Sequence, residues 1–169
     1  MAVFVSRIDV MDLLKRFGLN PPASDTRPMR HLPDERGFRV RIDGVVDEND
    51  EKIIRVQIDR TIVSRACPLT EWLANGLVHE LRGHGAISGD EALIHALTHL
   101  VLRVSNLFEN GGVCAVHLNP VFLTNRGYRI DGVTMERTEP LHLHRRLAPD
   151  AHDRKVQFDY RRSLGTPKR

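Results

Sequence analysis

From Gly37 the chain alternates apolar and polar residues with a period of two, which constrains its fold more than any other feature. Phe38, Val40 and Ile42 oppose Arg39, Arg41 and Asp43; Ile54, Val56 and Ile58 then oppose Arg55, Gln57 and Asp59. Successive side chains of a strand point to opposite faces, so both runs read as half-buried strands. The acidic connector Asp47-Glu48-Asn49-Asp50-Glu51 has hairpin length and turn composition, which pairs the two strands antiparallel. Their solvent face then carries Arg39, Arg41 and Arg55 beside Asp43 and Asp59.

Helical periodicity frames this hairpin. In residues 8–17, IDVMDLLKRF, Ile8, Met11, Leu13, Leu14 and Phe17 recur as on one face of a short helix, and Gly18 stops it. Residues 20–36 hold four prolines and almost no periodicity, so they read as an extended arm and the chief boundary within the chain. A second helix is expected from about Pro68 to Arg82, with Pro68 in its first turn and Leu69, Trp72, Leu73 and Leu77 on its buried face. A third opens at Ser88-Gly89-Asp90-Glu91, a capping-box spacing, and runs to Asn110. Its core stripe is Leu93, Leu97, Leu100, Val101, Val104 and Phe108.

Strand patterns return in CAVHL at 114–118, in PVFL and YRID around Asn125-Arg126-Gly127, in LHLH at 141–144 and in VQFDY at 156–160. Strands, a helical pair, then strands make an α+β class. An N-terminal helix and Pro-rich arm (1–36) precede a single domain (37–169).

At 169 residues with 41% hydrophobic content the chain is long enough for one core. Cys67 and Cys114 have no CxxC or Cys/His spacing around them, which argues against a disulfide framework or structural zinc and for a reducing, intracellular compartment. No secretory leader or membrane-length apolar run is evident. The net charge of +3 is uneven: residues 1–144 carry −2 and residues 145–169 carry +5.

That basic segment is the leading candidate surface. Arg145, Arg146, Arg154, Lys155, Arg161 and Arg162, with Phe158 and Tyr160 interleaved, combine phosphate-binding charge with stacking faces suited to nucleic acid, nucleoprotein or anionic membrane. An edge strand protected by charge has the same composition.

Nine histidines raise the question of a metal. His79-Glu80-Leu81-Arg82-Gly83-His84 has one residue too many for HExxH, whose i, i+4 spacing puts both imidazoles on one helical face. His95 and His99 have that spacing, but they lie opposite the apolar stripe. His142 and His144 share a strand face, with His117 as a possible third ligand. No nucleophile elbow, phosphate loop or dinucleotide fingerprint occurs, so no catalytic residue and no cofactor is assigned.

The order of elements resembles the small matrix proteins of plant-infecting rhabdoviruses. The resemblance lies in the arm NPPASD, in IIRVQIDRTIV followed by PLTEWLANGLVHEL, and in PLHLHRRLAPD followed by VQFDYRR. It implies a self-associating, RNA-binding and membrane-associated structural protein, located in a virion. Pro21-Pro22 is followed by Ala23-Ser24, so the PPxY budding motif of that family is missing. The expected function is therefore non-enzymatic assembly through a basic surface. The alternatives are a metal-dependent hydrolase using His95, His99, His142 and His144, or a small nucleic-acid-binding module.

Overall fold

In a computed structural model, residues 2–19 and 37–138 are described. The proline-rich arm, the expected strands at 141–144 and 156–160, and the basic segment lie outside them. The described elements run β1 (Ala2–Phe4), α1 (Arg7–Arg16), β2 (Gly37–Val46), β3 (Lys52–Ile58), β4 (Thr61–Ala66), α2 (Glu71–Gly83), α3 (Glu91–Asn110), β5 (Ala115–Thr124), β6 (Gly127–Ile130) and β7 (Val133–Thr138). The expected α+β class is what the structure has: three helices and one antiparallel sheet of seven strands.

The predicted hairpin is β2–β3, in register from Val40↔Ile58 to Val46↔Lys52. Asp47 closes its turn, Oδ1 accepting from the amides of Asn49 and Glu51. The sheet order is β1-β7-β5-β2-β3-β4, and β6 also pairs with β5. Thus β2 joins two strands that the sequence separates widely: its own hairpin partner and β5. The expected strands at 114–118 and 120–123 are one strand, β5, with a bulge where it passes β2 between Val40 and Ile42. β6 takes the late half of β5 and β7 the early half. The intervening turn is tied down where the amides of Asp131 and Asn119 donate to the carbonyls of Pro120 and Gly132.

One face of the sheet holds the core. Val40, Ile42, Ile54, Val56, Ile58, Val63, Val116, Leu118, Val121 and Leu123 are buried with the α3 stripe predicted from its periodicity. Each such side chain contributes roughly 1.5–3 kcal/mol by leaving water. Gly44 lets the sheet approach α3, since a Cβ there would lie 3.0 Å from the Phe108 ring.

The helix ends and faces differ from expectation in three places. Thr70 caps α2, its hydroxyl accepting from the Leu73 amide, so Pro68 precedes the helix and Leu69 packs from the loop. The register that follows buries Ala74, Leu77, Val78 and Leu81 and leaves Trp72 80% exposed. Asp90, rather than Ser88, caps α3. In α1 the buried stripe is Val10, Leu13 and Leu14, with Ile8 exposed. Two apolar stripes overlap at Leu13 and Leu14, and docking chooses between them where periodicity does not.

No described helix is long and apolar enough to cross a membrane.

Candidate functional site

The opposite face of the sheet is polar. Direct register places Thr134 on β7, His117 on β5, Asp43 on β2, Arg55 on β3 and Ser64 on β4 in a single row across five strands. Arg41 and Arg39 follow Asp43 along β2, and Arg39 pairs across to Phe122, which pairs with Arg129. The predicted arginine face is therefore present, extended by Arg129, whose guanidinium lies 5.7 Å from the Phe122 ring centroid.

Its centre is Asp43. The sequence places this residue among solvated charges, whereas it is only 4% exposed. A carboxylate can be withdrawn from water in this way when its oxygens are paired. Arg41 Nε donates to Asp43 Oδ2 at 2.8 Å, and His117 Nδ1 lies 2.8 Å from Oδ1. Arg41 spends only Nε on this contact and its side chain is 47% exposed, so the terminal fork of the guanidinium remains at the surface with donors for an anion.

Beside the pair is an open depression of about 450 Å³, lined by Phe4, Arg41, His117, Asn119, Val133, Thr134 and Glu136. Asn119 is exposed where β5 bulges. At the far end of the face, Arg129 forks onto Asp131 through Nε and a terminal nitrogen and holds that carboxyl below the usual aspartate range. The surface thus offers guanidinium, imidazole, amide and hydroxyl groups around the paired carboxylate of Asp43, with Glu136 at the side of the depression, and its arginine donors are suited to a phosphate-bearing ligand.

The other sequence candidates fare differently. His95 and His99 stand on the exposed side of α3, as their spacing implies, with ring centroids 4.3 Å apart. His79 and His84 are exposed at the end of α2. Among the described residues no three His, Cys, Asp or Glu side chains converge as metal ligands. His142 and His144 lie outside those residues, as do Arg145, Arg146, Arg154, Lys155, Phe158, Tyr160, Arg161 and Arg162. Cys67 and Cys114 are free thiols, half-buried, and burial pushes the Cys67 thiol up, away from a reactive thiolate. Neither the Asp43–His117 couple nor the place of Asn119 in the lining of the depression is legible in the sequence. The available signal was an Asp in the first hairpin and a His in an alternating strand, separated by 74 positions.

No family model matches the chain, and no curated protein does. Solved structures share the fold. Dinucleotide-forming acetyl-coenzyme A synthetase 1 of Ca. Korarchaeum cryptofilum, in its apo form, is 18% identical with a TM-score of 0.52, over 60% of this chain and 54% of that one. The same enzyme in complex with coenzyme A and Mg-AMPPCP is 17% identical with a TM-score of 0.51, over 71% and 55%. PH1788 from Pyrococcus horikoshii is 24% identical with a TM-score of 0.52, over 62% and 50%. The chain spans about half the length of these structures.

These likenesses overturn the expected role. A fold shared with part of an acetyl-coenzyme A synthetase replaces the reading as a viral-matrix-like, RNA-binding assembly protein. The physical reason is that the order of elements along a chain is common to many folds. The order of strands within the sheet separates them, and it is set by long-range pairing.

Proposed function

We propose that this chain is a ligand-binding module for an adenosine phosphate, the group shared by coenzyme A and adenine nucleotides, held on the polar face of the sheet. The observation that carries the reading is the Arg41–Asp43–His117 constellation, flanked by Arg39 and Arg55 and bordering an open depression. Arginine suits this role because its planar fork meets phosphate oxygens two at a time and never loses its charge. The matched synthetase supports it too, since that enzyme is described in complex with coenzyme A and with Mg-AMPPCP. Because the chain spans half the length of such structures, the reading is confined to binding.

Calorimetric titration of the full chain with coenzyme A, ATP and inorganic phosphate tests it. Saturable binding of coenzyme A or ATP is expected, weakened by added salt as exposed charges are screened. Charge-assisted hydrogen bonds contribute about 1.5–3 kcal/mol each, so Arg41→Gln is expected to weaken the complex roughly tenfold to hundredfold. Comparing coenzyme A with ATP separates the two sources of the shared group. Absence of binding to both, or binding unchanged in Arg41→Gln, would refute the assignment.

A further inference from the structure

We infer that anion binding at this face is coupled to the uptake of one proton by His117, at the ring nitrogen opposite its contact with Asp43. The inference rests on the proposed binding of an adenosine phosphate and adds how that site meets its ligand.

It follows from hydrogen-bond accounting. Asp43 sits under Arg41, whose Nε donates to Oδ2 at 2.8 Å, and a carboxylate paired with a guanidinium in this way is an acceptor only. The 2.8 Å contact between Asp43 Oδ1 and His117 Nδ1 then requires the hydrogen to be on Nδ1. In a neutral imidazole the other nitrogen, Nε2, is consequently a lone pair. It is turned away from Asp43, while the ring remains 31% exposed and lines the depression with Arg41, Asn119 and Thr134.

A lone pair facing a phosphate oxygen is repulsive, and an N–H there is a charge-assisted donor. The bound state therefore selects the doubly protonated ring, with Asp43 stabilising the resulting cation. The charged groups around the ring are Asp43 and Arg41 on β2, Glu136 on β7 and, one strand beyond, Arg55 on β3. Asp43 and Glu136 favour the cation while the two arginines oppose it. The incoming phosphate adds to the favourable side at the moment of binding.

The measurement is the binding enthalpy of coenzyme A to the full chain at about pH 8, above the ordinary histidine range of about 6.5, in several phosphate-free buffers of different ionisation enthalpy. The slope against buffer ionisation enthalpy counts protons taken up. A value clearly above zero is expected for the wild type, and a value near zero for His117→Gln, whose amide donates without titrating. Asp43→Asn retains the ring and relieves the demand for hydrogen on Nδ1. A neutral ring with its hydrogen on Nε2 then serves, so uptake is expected to fall there too.

Binding with no uptake in the wild type, or uptake that survives in His117→Gln, overturns the inference and leaves the binding function standing. Absence of binding in every buffer overturns both.

Discussion

Asp43 illustrates how one residue changes meaning when its partners arrive. On β2 its side chain belongs to the solvent-facing set, and yet it is almost wholly withdrawn from water because Arg41 and His117 close over it. Such a group is costly to leave half-satisfied. Asp43→Ala removes the acceptor for two charged or polar donors and is expected to lower stability by roughly 1.5–3 kcal/mol, measurable by urea denaturation. Asp131 is a milder case, being held by Arg129 with over a third of its side chain exposed. Its folded-state pKa is depressed, so its stabilisation is present above the unfolded value and disappears as pH falls through the folded one. Screening limits the effect to below about 1 kcal/mol. A small loss of stability in Asp131→Asn at neutral pH, vanishing well below about pH 4, is the expected outcome.

At the scale of elements, what the sequence discloses depends on how local the cause is. The β2–β3 hairpin and the α3 stripe rest on contacts within or between neighbouring turns and strands, and both were legible. Thr61–Ala66 and Val133–Thr138 are short strands whose alternation is interrupted by half-buried Arg65, Glu136 and Arg137. They become strands because β3 and β5 offer unpaired edges, a cause lying elsewhere in the chain. The turn between β6 and β7 shows what such pairing demands locally. A Cβ on Gly132 would fall 2.1 Å from the Asn119 carbonyl oxygen, and a backbone atom fixed in β5 has nowhere to go. Gly132→Ala is therefore expected to destabilise by about 1–3 kcal/mol or more. Asn119 borders the ligand depression, so the same variant should also weaken coenzyme A binding beyond what the melting shift explains, as a titration performed well below its melting temperature would show.

For the whole molecule, the polar face was partly legible: alternation alone put Arg39, Arg41 and Arg55 on one side of a sheet. What could not be read was that β5 lies against β2, because pairing across such a separation is decided by the packing of both strands on α3, and only this pairing delivers His117 to Asp43. The sequence's most conspicuous charge, by contrast, lies in residues 145–169. The two surfaces make different demands on a shortened chain. Every buried apolar residue of the described core falls between Val10 and Met135, and the residues that build the depression fall between Phe4 and Glu136. A chain ending at Thr138 is accordingly expected to melt cooperatively within about 4–8 °C of the full protein, the shift produced by roughly 1 kcal/mol in a domain of about 100 residues. It should also bind coenzyme A with an affinity within a few-fold. Circular dichroism melts and calorimetry on the shortened chain check both. A normal melt with binding lost would mean that the ligand depends on residues 139–169, and the polar sheet face would then lose its standing as a self-sufficient site.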